Sequence, residues 1–384
     1  MDSIGIYVHV PFCSGKCPYC DFYSICGNAE AMDAYTDAMV RVLHLWRRSI
    51  HPPVDTVYFG GGTPVLLGSS RLNRILTAIR LFNCDPDAEI TIEANPAAAQ
   101  ETLFQELHEI GFNRMSLGLQ SANPAELRFL GRRHTVEQAE AAFYSARTAG
   151  FDRISLDLML GLQGQTIASL RRSIDFCAGL GADHVSAYLL KVEPGTPFAA
   201  QADKLNLPDE DEQAAFYHET CAALRSHGYE QYEISNFARP GFASRHNLKY
   251  WHDEPYLGIG PGAHSFLDGR RFYYSRDLNA FCAGAEPIPD GSGGDAEEYA
   301  MLALRLTEGL REESYRARFG RPIPEKLRVK AQPLARAGLV RVTGEAVSLT
   351  EEGFLLSNAV IGELLTAFDP VTFPTKTENP IGIL

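Results

Sequence analysis

Three cysteines crowd the stretch CSGKCPYCDF: Cys13, Cys17 and Cys20 stand at C-x3-C-x2-C spacing, directly after a β-branched run. In a reducing compartment, clustered thiols favour metal over disulfides. Three thiolates suit a soft metal or an iron–sulfur cluster, and a [4Fe–4S] cube held by three cysteines keeps one iron open for an outside ligand. Zinc is the alternative, with His9 or Cys26 completing its set. Cys84, Cys177, Cys221 and Cys282 are scattered singly and join no such group.

Further chemistry-bearing residues follow in order. The glycine-rich GGGTP, residues 60–64, lets backbone approach a ligand closely, although a tight strand-to-helix turn also explains it. Glu93 in EANP, Gln120 in GLQS and Asp157 in SLDLMLGL each stand near the end of a strand-like run. A carboxylate or amide at three successive strand ends is hard to assign to a core. Later, RHNLKYW, residues 245–251, sets the imidazole of His246 beside Tyr250 and Trp251, which on chemistry alone reads as a hydrogen-bonded loop histidine packed beside aromatic residues.

The elements that must position these residues are legible as periodicity. Runs at 4–10, 56–59, 89–94, 114–119, 153–160 and 184–190 alternate with helix-period stretches. Tyr35, Met39, Val42, Leu43 and Trp46 share one helical face, as do Leu72, Ile75, Leu76 and Ile79. Thr135 with Gln138 has capping-box spacing, and Gly111 and Gly150 stand where helices should stop. Strands alternating with helices predict a parallel sheet in an α/β fold. An eight-unit barrel takes about 250 residues, so six units need roughly 190. These six runs lie between residues 4 and 190, which predicts an incomplete (β/α)6 barrel, with a doubly wound open sheet as rival. The cysteines then start at the carboxyl ends of the strands, where such folds carry their sites.

Past residue 200 an acidic helical stretch leads into an aromatic, glycine-rich region, and PIPDGSGGDAEE, residues 287–298, reads as a linker. Beyond it, helices and a hairpin turning near Gly344 predict a small winged-helix-like α+β domain. The expected division is a partial barrel over 1–200, an extension bearing the His246 segment over 201–290, and the small domain over 291–384. With 384 residues, 45% hydrophobic and 22% charged, the composition is that of an ordinary globular chain. A formal net charge of −13 argues against nucleic acid as a partner. The opening MDSIGIYVHVPF lacks a basic signal-peptide region, and no apolar run spans a bilayer; the expected location is the cytoplasm, with peripheral membrane contact left open.

YVHVPFCSGKCPYCDF, GGGTP, EANP, GLQS, LGRRHT and DLMLGLQGQT together resemble the radical S-adenosylmethionine (SAM) superfamily, and within it the branch of oxygen-independent coproporphyrinogen III oxidases and HemW-type haem chaperones. The resemblance covers essentially the whole chain. It implies that Cys13, Cys17 and Cys20 hold a [4Fe–4S] cluster, and that Tyr7, Tyr19, Gly61, Gly62, Thr63, Glu93, Gln120, Arg132 and Asp157 line a SAM site. Arg133 is one register step from Arg132, and Tyr7 doubles as an inward strand residue. The decarboxylating enzymes carry a further cysteine two residues after the third ligand, where this chain has Phe22, and an extension before a first strand that here starts at residue 4. Both differences, with RHNLKYW, point to the haem-chaperone side. That side implies haem as a further cofactor through His246, with His252 and His264 as alternative ligands, a haem-acceptor protein and an electron-donor protein as partners, and a function other than coproporphyrinogen III decarboxylation, the competing expectation.

Overall fold

The computed structural model describes residues 3–368. Six strands lie parallel and side by side in chain order: β1 (Ile4–Val10), β2 (Val54–Gly61), β3 (Cys84–Ala94), β4 (Arg114–Gln120), β5 (Arg153–Leu160) and β6 (His184–Leu189). Their crossovers carry α1 (Ala29–Trp46), α2 (Gly68–Ile79), α3 (Glu101–Glu109), α4 (Pro124–Phe129), α5 (Val136–Thr148) and α6 (Ile167–Leu180). The barrel does not close. The free edge of β6 pairs antiparallel with β8 (Asn236–Ala238), which β7 (Glu230–Gln231) extends, while β1 pairs parallel with β9 (Tyr256–Ile259). From β9 the sheet continues antiparallel through β10 (His264–Leu267), β11 (Arg270–Tyr273) and β12 (Ile288–Ser292), twelve strands in all. Helices α7 (Glu210–Ser226), α8 (Arg245–Trp251) and α9 (Leu278–Cys282) join these pieces.

Side-chain alternation along the strands explains both faces. Ile4, Ile6, Val8 and Val10 of β1, Val57 and Phe59 of β2, and Met115 and Leu117 of β4 are buried against the helical layer. The α1 and α2 stripes that meet them are the expected ones: Tyr35, Met39 and Leu43, then Leu72, Ile75, Leu76 and Ile79, are fully buried. The intervening residues point to the concave side and are polar, yet also buried: Thr56, Glu89, Thr91, Arg114, Ser116, Ser155, His184 and Ser186. The capping box at Thr135 forms, with both reciprocal bonds to Gln138, and Gly111 and Gly150 adopt φ of +106° and +104° just past their helices.

The carboxyl-terminal part builds a three-stranded antiparallel sheet from β13 (Leu310–Arg311), β14 (Val340–Val342) and β15 (Ala346–Leu349), in the order β13-β15-β14. Around it lie α10 (Ala296–Ala303), α11 (Glu312–Phe319), α12 (Glu325–Arg336), α13 (Glu351–Leu355) and α14 (Ser357–Leu365). The 287–298 stretch is more ordered than its composition suggests. Residues 288–292 form the edge strand β12, where a proline without an N–H is tolerated, and Asp295 caps α10 by accepting from Glu297 and Glu298 N–H. Asp253, its side chain fully buried, ties the small domain down: it pairs with Arg318 of α11 at 2.7 Å and Arg271 of β11 at 3.1 Å.

Candidate functional site

At the carboxyl ends of the six parallel strands a cavity of about 360 Å³ opens beside the cysteine loop and runs down the concave face as far as Ser244 and Asn247 at α8. The loop is pinned where it leaves and rejoins the sheet: Cys13 N–H donates to the Ile25 carbonyl (2.9 Å) and Ile25 N–H to the Pro11 carbonyl (2.7 Å). Cys13, Cys17 and Cys20 are half-buried and line the cavity; Cys26 is exposed and does not. Burial and the neighbouring thiols raise the Cys20 thiol above its usual range. Among the described residues, no three His, Cys, Asp or Glu side chains group closely enough for a single metal ion. Three soft thiols lining one cavity suit an iron–sulfur cluster with one open iron, and neither His9 nor Cys26 lines that cavity to complete a zinc set.

The glycine turn is a structural joint. Gly62 N–H donates to the Val10 carbonyl (2.8 Å) and Thr63 N–H to the Phe12 carbonyl (2.7 Å), stitching the end of β2 to the end of β1. A Cβ on Gly62 would stand 2.5 Å from the Phe12 carbonyl oxygen, and one on Gly61, at φ +106°, 2.6 Å from the His9 ring. Of these amides only Gly61 N–H reaches a carboxylate, that of Glu93 (3.2 Å), whose other oxygen accepts from Tyr58 Oη (2.8 Å). Burial outweighs those two bonds and holds Glu93 protonated up to about 7. Asp157 accepts from Ser116 Oγ at 3.1 and 3.2 Å and is likewise raised by burial. Gln120 sits at φ +68°, a left-handed backbone rare outside glycine, where the β4–β5 register shifts, and it too lines the cavity.

The adjacent arginines divide their work. Arg132 lines the cavity, with Nη1 3.8 Å from Cys17 Sγ and Nη2 donating to the Gly118 carbonyl (2.6 Å). Arg133 instead braces the loop from outside, donating to the Ser14 carbonyl (3.0 Å) and filling the space a Cβ on Gly15 would need. Tyr19 lines the cavity, its ring 6.3 Å from Phe198. Tyr7 does not line it; its Oη bonds His9 Nδ1 (3.0 Å) within a group of rings that includes Tyr58 and His246. Two buried polar atoms on the cavity wall, Thr91 Oγ1 and Arg132 Nε, have no partner. Buried polar groups in folded proteins are rarely left so, which marks the wall as shaped for a polar ligand. Strand-end reasoning passed over Tyr58, Ser116, Arg114 and Ser186, although each occupies an alternate polar position inside a predicted strand.

His246 lies outside this cavity. Its ring is 1% exposed, with Nδ1 2.9 Å from Thr56 Oγ1 and Nε2 2.8 Å from Tyr250 Oη, and it stacks on Tyr58 at 5.3 Å. Burial lowers its pKa to about 3, so the imidazole is neutral. Phe22, in contrast, is 66% exposed at the cavity mouth.

Residues 7–177 match the radical SAM superfamily and residues 295–356 the HemN C-terminal domain. A protein of Bacillus subtilis (strain 168) named heme chaperone HemW is 35% identical over 372 residues, 94% of this chain and 98% of its own. Its namesake in Mycobacterium tuberculosis (strain CDC 1551 / Oshkosh) is 38% identical over 376 residues, 94% of each. Among solved structures, coproporphyrinogen III oxidase (HemN) from Escherichia coli, described as a radical SAM enzyme, is similar with a TM-score of 0.81 at 25% identity, covering 96% of this chain and 90% of that one.

Proposed function

The chain belongs to the HemW family of radical SAM proteins, and from that premise we propose that it is a haem chaperone, binding haem and passing it to an acceptor haem protein. Cys13, Cys17 and Cys20 would hold a [4Fe–4S] cluster, and the cavity beside them would take SAM. The observation that carries this proposal is the meeting in one cavity of three thiols with Glu93, Arg132, Asp157 and the unpartnered Thr91 Oγ1 and Arg132 Nε. When bound, a three-cysteine cluster supplies an open iron for the amino and carboxylate groups of SAM. Around it, Glu93 would accept from the amino group, the Arg132 guanidinium would pair the carboxylate, and Asp157 would accept from ribose hydroxyls. Gly61, Gly62 and Thr63 would shape that wall by closing β2 onto β1, with Tyr19 and Gln120 bordering the ligand and Tyr7 buttressing it from behind. An electron-donor protein acting at the cavity mouth completes the set of partners, and the location proposed is the cytoplasm; no described helix is long and apolar enough to cross a membrane.

For haem, the motif resemblance nominates His246. Ligation there requires α8 to give up the bonds from the His246 ring to Thr56 and Tyr250. Haem titration of His246→Ala tests this: unchanged affinity and spectrum in a folded variant would remove His246 as ligand. The competing function, oxygen-independent coproporphyrinogen III decarboxylation, is favoured by the likeness to coproporphyrinogen III oxidase and disfavoured by Phe22 at the position of the extra cysteine. Anaerobic reconstitution with iron and sulfide, followed by separate addition of SAM, haem and coproporphyrinogen III, decides between them. Saturable haem binding without carbon dioxide release is expected; release of carbon dioxide from coproporphyrinogen III would overturn the chaperone assignment.

A further inference from the structure

The cavity extends past the groups given to SAM. Register between the parallel strands sets Glu93 of β3 beside Ser116 of β4 and, two residues earlier on each strand, Thr91 beside Arg114. At about 3.3 Å of rise per residue, that second pair lies roughly 6.6 Å further down the strands than Glu93. Both of its members line the cavity, as does Asn247 of α8. SAM carries one carboxylate, which the open iron and Arg132 take in the proposed site. A second guanidinium on the cavity wall is left with nothing in SAM to bind.

Arg114 is 2% exposed, yet sparsely bonded for a buried charge. Its Nη1 donates to the Phe242 carbonyl (3.0 Å), the one hydrogen bond that its five side-chain N–H donors make among the described residues. Glu89 Oε2, at 3.7 Å, is beyond hydrogen-bond reach and has no partner of its own, while Glu89 Oε1 accepts the His246 N–H (3.2 Å). Glu89 does not line the cavity, so its carboxylate balances the charge from behind and the guanidinium keeps open donors on the cavity side. Beside it on the next strand, Thr91 is 1% exposed with its hydroxyl unpartnered. A fork of N–H donors flanked by a hydroxyl and an amide is the complement of a carboxylate, and buried polar groups are rarely left so open without a ligand. A cavity of about 360 Å³ that also takes SAM limits that ligand to a short chain.

We propose that the Thr91–Arg114 layer is a subsite for a second, small carboxylate-bearing ligand, held deeper in the cavity that takes SAM. The proposal rests on the SAM site above for the roles of Glu93 and Arg132. The test is isothermal titration of the full, cluster-reconstituted chain with acetate, and with acetamide and chloride at matched ionic strength, before and after saturation with SAM. It is run on the wild type, Arg114→Gln and Thr91→Val. Acetate should bind saturably in both states, and acetamide and chloride should not. Arg114→Gln should weaken acetate at least about tenfold. Thr91→Val puts a methyl group in place of an unpartnered buried hydroxyl, so it should hold or raise the urea midpoint while weakening acetate, which keeps the test decisive if Arg114→Gln does not fold. Acetate binding no tighter than acetamide or chloride, wild-type acetate affinity in either folded variant, or loss of acetate binding once SAM is bound would overturn the subsite. Acetate binding that persists in a wild-type chain unable to bind SAM would instead overturn the SAM site and uphold the subsite, so the two failures are distinguishable.

Discussion

Glu93 concentrates the electrostatics of the cavity. Its folded-state pKa of about 7 stands above the unperturbed 4.5, so between those values the folded chain holds a proton that the unfolded chain has lost, and this contribution to stability falls as pH rises through the window. An ammonium-bearing ligand reverses the preference by pairing with the carboxylate. The affinity of reconstituted protein for SAM should therefore rise as pH passes upward through about 7, and Glu93→Gln should both weaken binding and flatten the profile, as isothermal titration at several pH values would show. At Gly62 the constraint is steric. Gly62→Ala drives a methyl group against the Phe12 and Val10 carbonyls and should lower stability by about 1–3 kcal/mol in urea unfolding. That the three thiols and the carboxylates Glu93 and Asp157 line one cavity was legible because they stand in or just after the strands that open onto it. The choice between Arg132 and Arg133 was not, because one register step decides which guanidinium faces inward, and that step is fixed by the packing of Arg133 on Gly15, a contact 118 residues away in sequence. His246 was legible as a motif but not as a buried residue, since nothing in RHNLKYW announces that Thr56 and Tyr250 will hold its ring.

The elements follow their local chemistry. Thr135 accepts the Gln138 N–H at the start of α5, so Thr135→Ala should cost about 1 kcal/mol in chemical denaturation. Gly179, exposed in the last turn of α6 with nothing within 4 Å of an added Cβ, is the opposite case: Gly179→Ala should raise stability by about 0.5–1 kcal/mol. The six parallel strands were readable from runs such as EITIEA and RISLDLML, whose apolar residues, Met159 apart, face the helices. The same runs alternate with Glu, Thr, Ser and Asp, and that alternation in strands buried on both faces is the signature of a polar interior. β12 escaped notice because Pro289 and Gly291 mask a strand that only needs to pair along one side.

At the scale of the molecule, the open barrel is extended at one edge by the antiparallel β8 and at the other by the parallel β9 and the antiparallel strands beyond it, and the small carboxyl-terminal domain is moored to that second extension through Asp253. Asp253→Ala leaves Arg271 and Arg318 without their shared buried carboxylate and should cost about 3 kcal/mol, read as a lower urea midpoint and as faster protease cleavage near the 290–300 junction. Neither the mooring nor the rim strands were legible, since each depends on pairings between segments too short to show a period. The polar concave face has a thermodynamic consequence of its own. A wall of hydroxyls, carboxylates and unpartnered donors is a poor substitute for a core, so the loaded and unloaded chains should melt at clearly different temperatures. At a ligand concentration a hundred times the dissociation constant, linkage alone adds about 2.7 kcal/mol of stability. Cofactor supply would in this way govern how long each copy of the chain survives proteolysis, and so how much of it a cell accumulates.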